Sequence, residues 1–190
     1  PLTSRLQHIS IGDNLILNPK ATGTLVLDSL LPGKRLFLFA SGTGIAPFIS
    51  LIRDPEIYEK FEKIILLHTC RGVKDLNYGK NIIETIDKDP LIGEYAEKLL
   101  YYPTVTREEF HTKGRITELL KSEKIFQDLH LAPISRDTDR AMICGSMGLN
   151  KDIKEFLEVS GLKEGARNSP AEFVLEKAFV GLNPIGLGQS

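Results

Sequence analysis

Residues 35–47 have the sequence RLFLFASGTGIAP, in which an apolar run leads directly into a glycine-rich turn. The run Arg35–Ser41 is apolar on both faces rather than alternating, as is typical of a strand buried inside a parallel sheet. Gly42 and Gly44 allow the backbone to turn sharply and to approach a ligand closely, and Pro47 suits the first turn of a helix. This stretch therefore predicts a strand, a tight turn and a helix, in that order.

The same unit recurs along the chain. Further strands are predicted at residues 63–70, 99–106, 140–146 and 172–179, with helical patterns at 76–86, from 114 and after 146. Pro103 removes one donor from the third strand, which is therefore expected at a sheet edge or a bulge. This alternation predicts an α/β fold, a doubly wound five-stranded parallel sheet, over residues 34–180.

Residues 1–33 do not follow this pattern. A helical pattern at 3–9 and short strands expected at 12–17 and 21–27 cannot close a core of their own. We therefore expect this segment to be a short β-rich remnant of a preceding domain. Residues 181–190 are expected to form a flexible extension.

The composition argues against several classes of function. Among 190 residues, 24 Lys and Arg balance 25 Asp and Glu, which argues against nucleic-acid binding. No apolar run reaches the roughly 20 residues that span a bilayer, so no membrane partner is expected. Two distant cysteines and four scattered histidines argue against a metal site or a disulfide framework, and predict reduced thiols in a cytoplasmic protein.

Cations follow the predicted strands at the edge where doubly wound sheets bind ligands. Arg71 follows the second strand and Arg107 the third, while Lys113 and Arg115 flank the glycine that begins the next helix. The arginine fork suits phosphate, so their convergence predicts an anion site. Each feature alone has an ordinary alternative, namely a solvated loop arginine, a strand-to-helix turn, or a Cys-Gly pair that belongs to the core.

Together these motifs resemble the ferredoxin–NADP reductase superfamily, and within it the bacterial reductases. The matching segments are residues 1–6, 32–36, 41–47, 105–108, 141–146 and 175–180. The resemblance implies a ferredoxin/flavodoxin–NADP+ reductase with the cofactors FAD and NADP and with ferredoxin or flavodoxin as its partner. Residues 1–33 would then be the end of the flavin-binding barrel, and 34–180 the NADP-binding domain.

The resemblance also implies roles for individual positions. Those matching the family's FAD site are Pro1, Leu2, Thr3, Ser4, Ala178 and Phe179, with Thr43 between the flavin and the nicotinamide. Those matching the NADP site are Arg71 and Gly72 for the pyrophosphate, Arg107, Arg115 and Lys113 for the 2′-phosphate, Ile143, Cys144 and Gly145 for the nicotinamide, and Leu149 as an apolar contact. Thr43 and Cys144 are thereby implied as catalytic positions, where Cys144 positions the nicotinamide.

Three alternatives stay open at this point. The Arg-x-Tyr-Ser stretch by which the family anchors FAD is absent from the chain. The chain could instead be the reductase component of an oxygenase system, an NADP-binding fragment without activity of its own, or an unrelated flavodoxin-type domain. The arginines favour NADP over NAD, because no acidic residue stands in an obvious position to bind a ribose 2′-hydroxyl.

Overall fold

The chain forms one five-stranded parallel sheet in a computed structural model that describes residues 5–6, 8–16 and 23–177. The strands are β1 (Arg35–Ser41), β2 (Lys63–Cys70), β3 (Leu99–Val105), β4 (Asp139–Gly145) and β5 (Phe173–Lys177). Their order is β3-β2-β1-β4-β5, and every neighbouring pair is parallel. This confirms the predicted sheet, and β1 and β2 have the predicted bounds.

Helices connect the strands. The α-helices of the sheet domain are α1 (Ala46–Leu51), α2 (Pro55–Lys60), α3 (Asn77–Ile83), α4 (Ile116–Lys121), α5 (Lys124–Asp128) and α6 (Met147–Val159). Short 3-10 helices lie at Leu27–Ser29, Gly42–Ile45, Val73–Leu76, Ile86–Lys88 and Gly93–Lys98. None of the helices in these ranges is long and apolar enough to cross a membrane.

Both faces of the sheet are buried, because successive strand residues point to opposite sides. Leu38 and Leu66 pack on one face with residues of α1, α2 and α3. Phe39 and Leu67 pack on the other face with residues of α4, α5 and α6. The sheet is therefore doubly wound, as its continuously apolar strands predict.

The strand order reverses beside β1. From β1 the chain adds β2 and β3 on one side, and then returns to place β4 and β5 on the other. The connections leaving β1 and β4 pack on opposite faces, which opens a crevice at the carboxyl ends of these strands. Pro103 lies in β3, at the edge of the sheet, as its missing donor predicts.

The strands expected at 12–17 and 21–27 are absent from the described parts of those segments, 12–16 and 23–27. A strand needs the backbone groups of a neighbour, and no described segment pairs with either stretch. Leu15 and Ile16 are instead exposed.

Thr24 Oγ1 donates to the carbonyl of Leu175 in β5 (3.3 Å). Of the helical pattern at 3–9, Arg5 and Leu6 are helical. The extension at 181–190 lies outside the described residues.

Candidate functional site

Two adjoining clefts open at the carboxyl edge of the sheet, with volumes of about 620 and 240 Å³. Both are lined by Ser41, Thr69, Thr106 and Ser146, which lie at or next to the carboxyl ends of the four strands β1 to β4. Because they share these residues, the clefts form one crevice across the point where the strand order reverses. This is the edge at which the sequence predicts ligand binding, and the larger cleft has the size of a small-molecule site.

The larger cleft combines a glycine turn with charged and aromatic side chains. Gly42 and Thr43, from the 3-10 helix that follows β1, form one wall. Arg71, Asp75 and Tyr78, from the segment after β2, also line this cleft, and Tyr78 is 56% exposed. Thr43 is exposed at this cleft. This cleft therefore offers a cation, a carboxylate and an aromatic ring to a ligand.

The smaller cleft lies between the starts of α4 and α6. Arg115 contributes a guanidinium at the start of α4, and Leu149 and Asp152 line the cleft from α6. The Ser146 hydroxyl caps α6 by accepting the Leu149 N–H (3.3 Å). The remaining N–H groups in the first turn of a helix have no intrahelical partner and favour an anion.

Three glycines shape the crevice for two different reasons. Gly42 has a φ of +53°, a left-handed conformation that favours glycine, and a Cβ there would meet nothing within 4 Å. A Cβ on Gly44 would lie 2.1 Å from the Cys144 carbonyl oxygen, and one on Gly145 would lie 2.3 Å from Ser41 Oγ. Packing of the β1 turn against the end of β4 therefore excludes side chains at Gly44 and Gly145. The space beside Gly44 is filled by β4 and is not free for a ligand.

The neighbouring strands β1 and β4 are also joined by a hydrogen bond at the crevice. The N–H of Ser146 donates to Ser41 Oγ (2.9 Å). This bond ties the turn that begins α1 to the residue that caps α6, so the walls contributed by β1 and β4 are held in one fixed arrangement.

The predicted cations lie at this edge of the sheet, but in different settings. Arg71 lines the larger cleft and Arg115 the smaller one. Arg107 directly follows Thr106 in the crevice, and its backbone N–H donates to the Arg71 carbonyl (3.1 Å). Lys113 is engaged in an ion pair with Glu109. Arg71, Arg107 and Arg115 are exposed, so a ligand can reach their guanidinium groups.

Carboxylates order the loop that carries Arg71. The N–H of Gly72 donates to Asp75 Oδ2 (3.2 Å), and the N–H of Val73 donates to Glu108 Oε2 (2.8 Å). The loops after β2 and β3 are thus joined. Two carboxylates also line the crevice, Asp75 in the larger cleft and Asp152 in the smaller one.

Cys144 is the penultimate residue of β4, and its side chain is 5% exposed within the core on the α1–α3 face. Burial, assisted by the charge of Glu176, raises the pKa of this thiol to about 11. A neutral buried thiol packs and does not attack. Ile143 points to the opposite core, and Leu149 is half-buried at the smaller cleft.

Some predicted positions lie outside the described residues. These are Pro1, Leu2, Thr3, Ser4, Ala178 and Phe179. Their implied contacts with FAD therefore stay predictions.

A buried histidine beneath the glycine turn escaped the sequence analysis. His68 is fully buried in β2, with Nε2 3.0 Å from the Gly42 carbonyl oxygen and Nδ1 3.2 Å from the Tyr101 hydroxyl. The Cys70 sulfur lies 3.3 Å from the same Nε2. Burial lowers the pKa of His68, although its bond to Gly42 and the charge of Asp75 oppose this. The available signal was a single histidine within an otherwise apolar strand.

Comparison with known proteins shows that the chain is similar to ferredoxin–NADP and flavodoxin/ferredoxin–NADP reductases. The family model described as an oxidoreductase NAD-binding domain matches residues 38–155. The flavodoxin/ferredoxin–NADP reductase of Rhodobacter capsulatus is 60% identical over 182 residues, covering 95% of this chain and 67% of that protein. The ferredoxin–NADP reductase of Azotobacter vinelandii is 51% identical, with coverages of 95% and 70%.

A solved structure agrees with these relatives. It is a ferredoxin NADP+ reductase from Neisseria gonorrhoeae with bound FAD and NADP. It matches 94% of this chain and 70% of its own chain with a TM-score of 0.78 and 27% sequence identity. The similarity therefore extends beyond the residues that the family model covers.

Proposed function

Because this chain belongs to the ferredoxin–NADP reductase family, we propose that it forms the NADP-binding part of a ferredoxin/flavodoxin–NADP+ reductase. The chain spans 67% of the length of the Rhodobacter capsulatus relative. The FAD cofactor, the ferredoxin or flavodoxin partner and the whole enzyme's activity therefore belong to the proposal. The observation that carries it is the crevice at the strand-order reversal, with exposed arginines along one edge.

The two parts of the crevice fit the two ends of a dinucleotide. We assign the nicotinamide end to the larger cleft, where Thr43 and the Tyr78 ring are exposed. The adenosine end is assigned to the smaller cleft, where Arg115 supplies positive charge and Leu149 an apolar surface. The residues shared between the clefts make the crevice continuous, as a ligand that bridges both requires.

The arginines divide by position. Arg115 and Arg107 are proposed to bind the 2′-phosphate, and Arg71 and Gly72 to face the pyrophosphate. Lys113 is the weakest of these candidates, because it has to leave Glu109 before it can bind a phosphate. A guanidinium fork suits a phosphate dianion better than a neutral hydroxyl, which supports a preference for NADP over NAD.

When bound, NADP(H) and FAD exchange a hydride, and the flavin passes single electrons to the carrier protein. The described residues contribute orientation. Gly145 allows the end of β4 to pack against Ser41. Ile143 and Cys144 precede it in β4, are buried on opposite faces of the sheet and line neither cleft. The family resemblance supports the proposal that the neutral thiol of Cys144 lies on the nicotinamide side and that Thr43 lies between the two rings. For FAD itself we propose Pro1, Leu2, Thr3, Ser4, Ala178 and Phe179.

The visible absorption spectrum tests this proposal directly. The chain is incubated with FAD, desalted and titrated with NADPH without oxygen. Retained flavin that bleaches on titration supports a reductase. Loss of flavin with NADP+ binding intact leaves an NADP-binding fragment, which contradicts the reductase activity for this chain alone. Loss of both ligands overturns the proposal.

A further inference from the structure

The residues beneath the glycine turn form a chain of contacts that crosses three strands. Tyr101 lies in the edge strand β3, His68 in β2, and Gly42 directly after β1. His68 pairs in register with Ala40 on one side and Pro103 on the other, so its ring lies under the turn. None of these contacts is needed to hold the sheet together, because the strands already pair along their length.

The partners of the His68 ring determine where its proton lies. A carbonyl oxygen only accepts, so Nε2, at 3.0 Å from the Gly42 oxygen, carries the hydrogen and donates. In the neutral ring Nδ1 then accepts, and the Tyr101 hydroxyl at 3.2 Å is its donor. Burial lowers the pKa of His68 and favours this neutral form, in the presence of the thiol of Cys70 and the carboxylate of Asp75.

The packing around this group is also close at a second position. Gly79, in α3, packs against the same group. A Cβ there would lie 2.5 Å from Ile45 Cδ1, 3.2 Å from the Tyr101 hydroxyl and 3.4 Å from His68 Nδ1. A side chain at Gly79 would therefore force the end of the Ile45 side chain to move and would press on the Tyr101 hydroxyl, while His68 Nδ1 would be in ordinary contact.

The bond from His68 sets the orientation of one peptide unit in the turn. In a trans peptide, the carbonyl of one residue and the N–H of the next point in opposite directions. With the Gly42 carbonyl directed inward to His68, the Thr43 N–H points outward, and Thr43 lines the larger cleft. Gly42 has a φ of +53°, in the left-handed region that glycine enters without the steric cost of a Cβ.

We propose that His68 is a positioning residue that holds the Gly42–Thr43 peptide so that the Thr43 N–H is presented to the bound dinucleotide. This inference rests on the proposed NADP site. Without the imidazole, the Gly42 carbonyl loses its side-chain partner, and only the 3-10 helix Gly42–Ile45 holds the peptide. The Thr43 N–H is then held less firmly toward the cleft. Tyr101 acts through His68 by selecting the tautomer.

Calorimetric titration of the full chain with NADP+ tests the proposal. His68→Phe fills the space without a donor and is expected to bind about tenfold more weakly, which corresponds to the loss of one hydrogen bond of about 1.4 kcal/mol. His68→Gln keeps an amide nitrogen near the Nε2 position and is expected to restore affinity to within about threefold of the wild type. Ile64→Ala, a core substitution on the same strand and face, is the control for lost stability and is expected to bind as the wild type does.

The outcomes separate the inference from the function on which it rests. If His68→Phe binds NADP+ as tightly as the wild type, the inference about His68 is wrong, but the NADP site is unaffected. The same conclusion follows if His68→Phe and His68→Gln bind NADP+ equally weakly. A wild-type chain that does not bind NADP+ overturns both. Should His68→Phe fail to fold, nitrogen NMR of the His68 ring in the wild type decides. The Nε2–H tautomer is expected, and Tyr101→Phe should shift it. The Nδ1–H tautomer would refute the proposal.

Discussion

Substituting Gly44 by alanine tests the packing of the β1 turn against β4. The added Cβ would lie 2.1 Å from the Cys144 carbonyl oxygen, 2.7 Å from its carbonyl carbon and 3.1 Å from the Cα of Gly145. All three are backbone atoms within or at the end of a paired strand, so no side-chain rotation relieves the contact. Ordinary contact begins at 3.4 Å, so turn and strand must separate by about 1.3 Å, the difference between 3.4 and 2.1 Å.

The cost follows from this separation. Overpacking of a rigid site costs about 1–3 kcal/mol. The bond from the Ser146 N–H to Ser41 Oγ adds about 1 kcal/mol if it is lost. We expect Gly44→Ala to lower the free energy of unfolding by about 2–4 kcal/mol, which corresponds to about 5–15 °C in Tm for a chain of this size.

Urea unfolding followed by circular dichroism measures this effect, with Gly148→Ala as the matched control. Gly148 lies in the first turn of α6, and a Cβ there would meet nothing within 4 Å. Alanine at that position should leave stability unchanged or raise it by up to about 1 kcal/mol. A Gly44→Ala chain as stable as the wild type would show that β1 and β4 are not closely packed at this point.

Three further predictions concern buried ionisable groups. Burial raises the pKa of Cys70 and of Cys144 to about 11, so about one thiol in a thousand is ionised at pH 8, and iodoacetamide should label them only after unfolding. Rapid labelling of the folded chain would contradict their burial. Burial lowers the pKa of His68 in the folded chain, so the neutral ring is stable there while the unfolded chain takes up a proton. The stabilisation from the neutral His68 ring is therefore fully present above the unfolded pKa of about 6.5 and is lost as the pH falls below that value. The free energy of unfolding, measured with urea, should fall by up to about 1.4 kcal/mol per pH unit in the wild type and should not fall in this way in His68→Gln. Parallel pH profiles for the two proteins would refute this prediction. Asp139 is fully buried and accepts a hydrogen bond from Arg35 Nε at 2.6 Å. Asp139→Ala should therefore lower the free energy of unfolding by about 3–5 kcal/mol. A decrease below about 1 kcal/mol in the same assay would show that the ion pair does not stabilise the fold.

The sheet could be predicted because its strands are locally distinctive. Residues 35–41 and 63–70 are apolar on both faces, and burial between two helical layers demands this composition. Local composition could not decide whether residues 12–17 and 21–27 form strands. Strand formation there depends on a pairing partner, and among the described residues neither stretch has one.

The site was predictable in location but not in its internal contacts. Topology alone places Arg71, Arg107 and the Ser146 region at one edge, because the carboxyl ends of parallel strands meet there. The role of His68 depends on the register between β1, β2 and β3, which no local pattern reveals. For the same reason, the sequence predicts that Gly44 approaches a ligand, whereas in the structure Gly44 packs against the end of β4.

The most direct test of the account is calorimetric titration of the chain with NADP+ and with NAD+, repeated for Arg107→Ala. The exposed Arg53, which lies between α1 and α2 and outside both clefts, supplies the control variant Arg53→Ala. We predict that NADP+ binds at least tenfold more tightly than NAD+, that Arg107→Ala removes this difference and that Arg53→Ala preserves it. Equal binding of the two nucleotides by the wild type, or a preference that survives Arg107→Ala, would contradict the assignment of this edge to the 2′-phosphate.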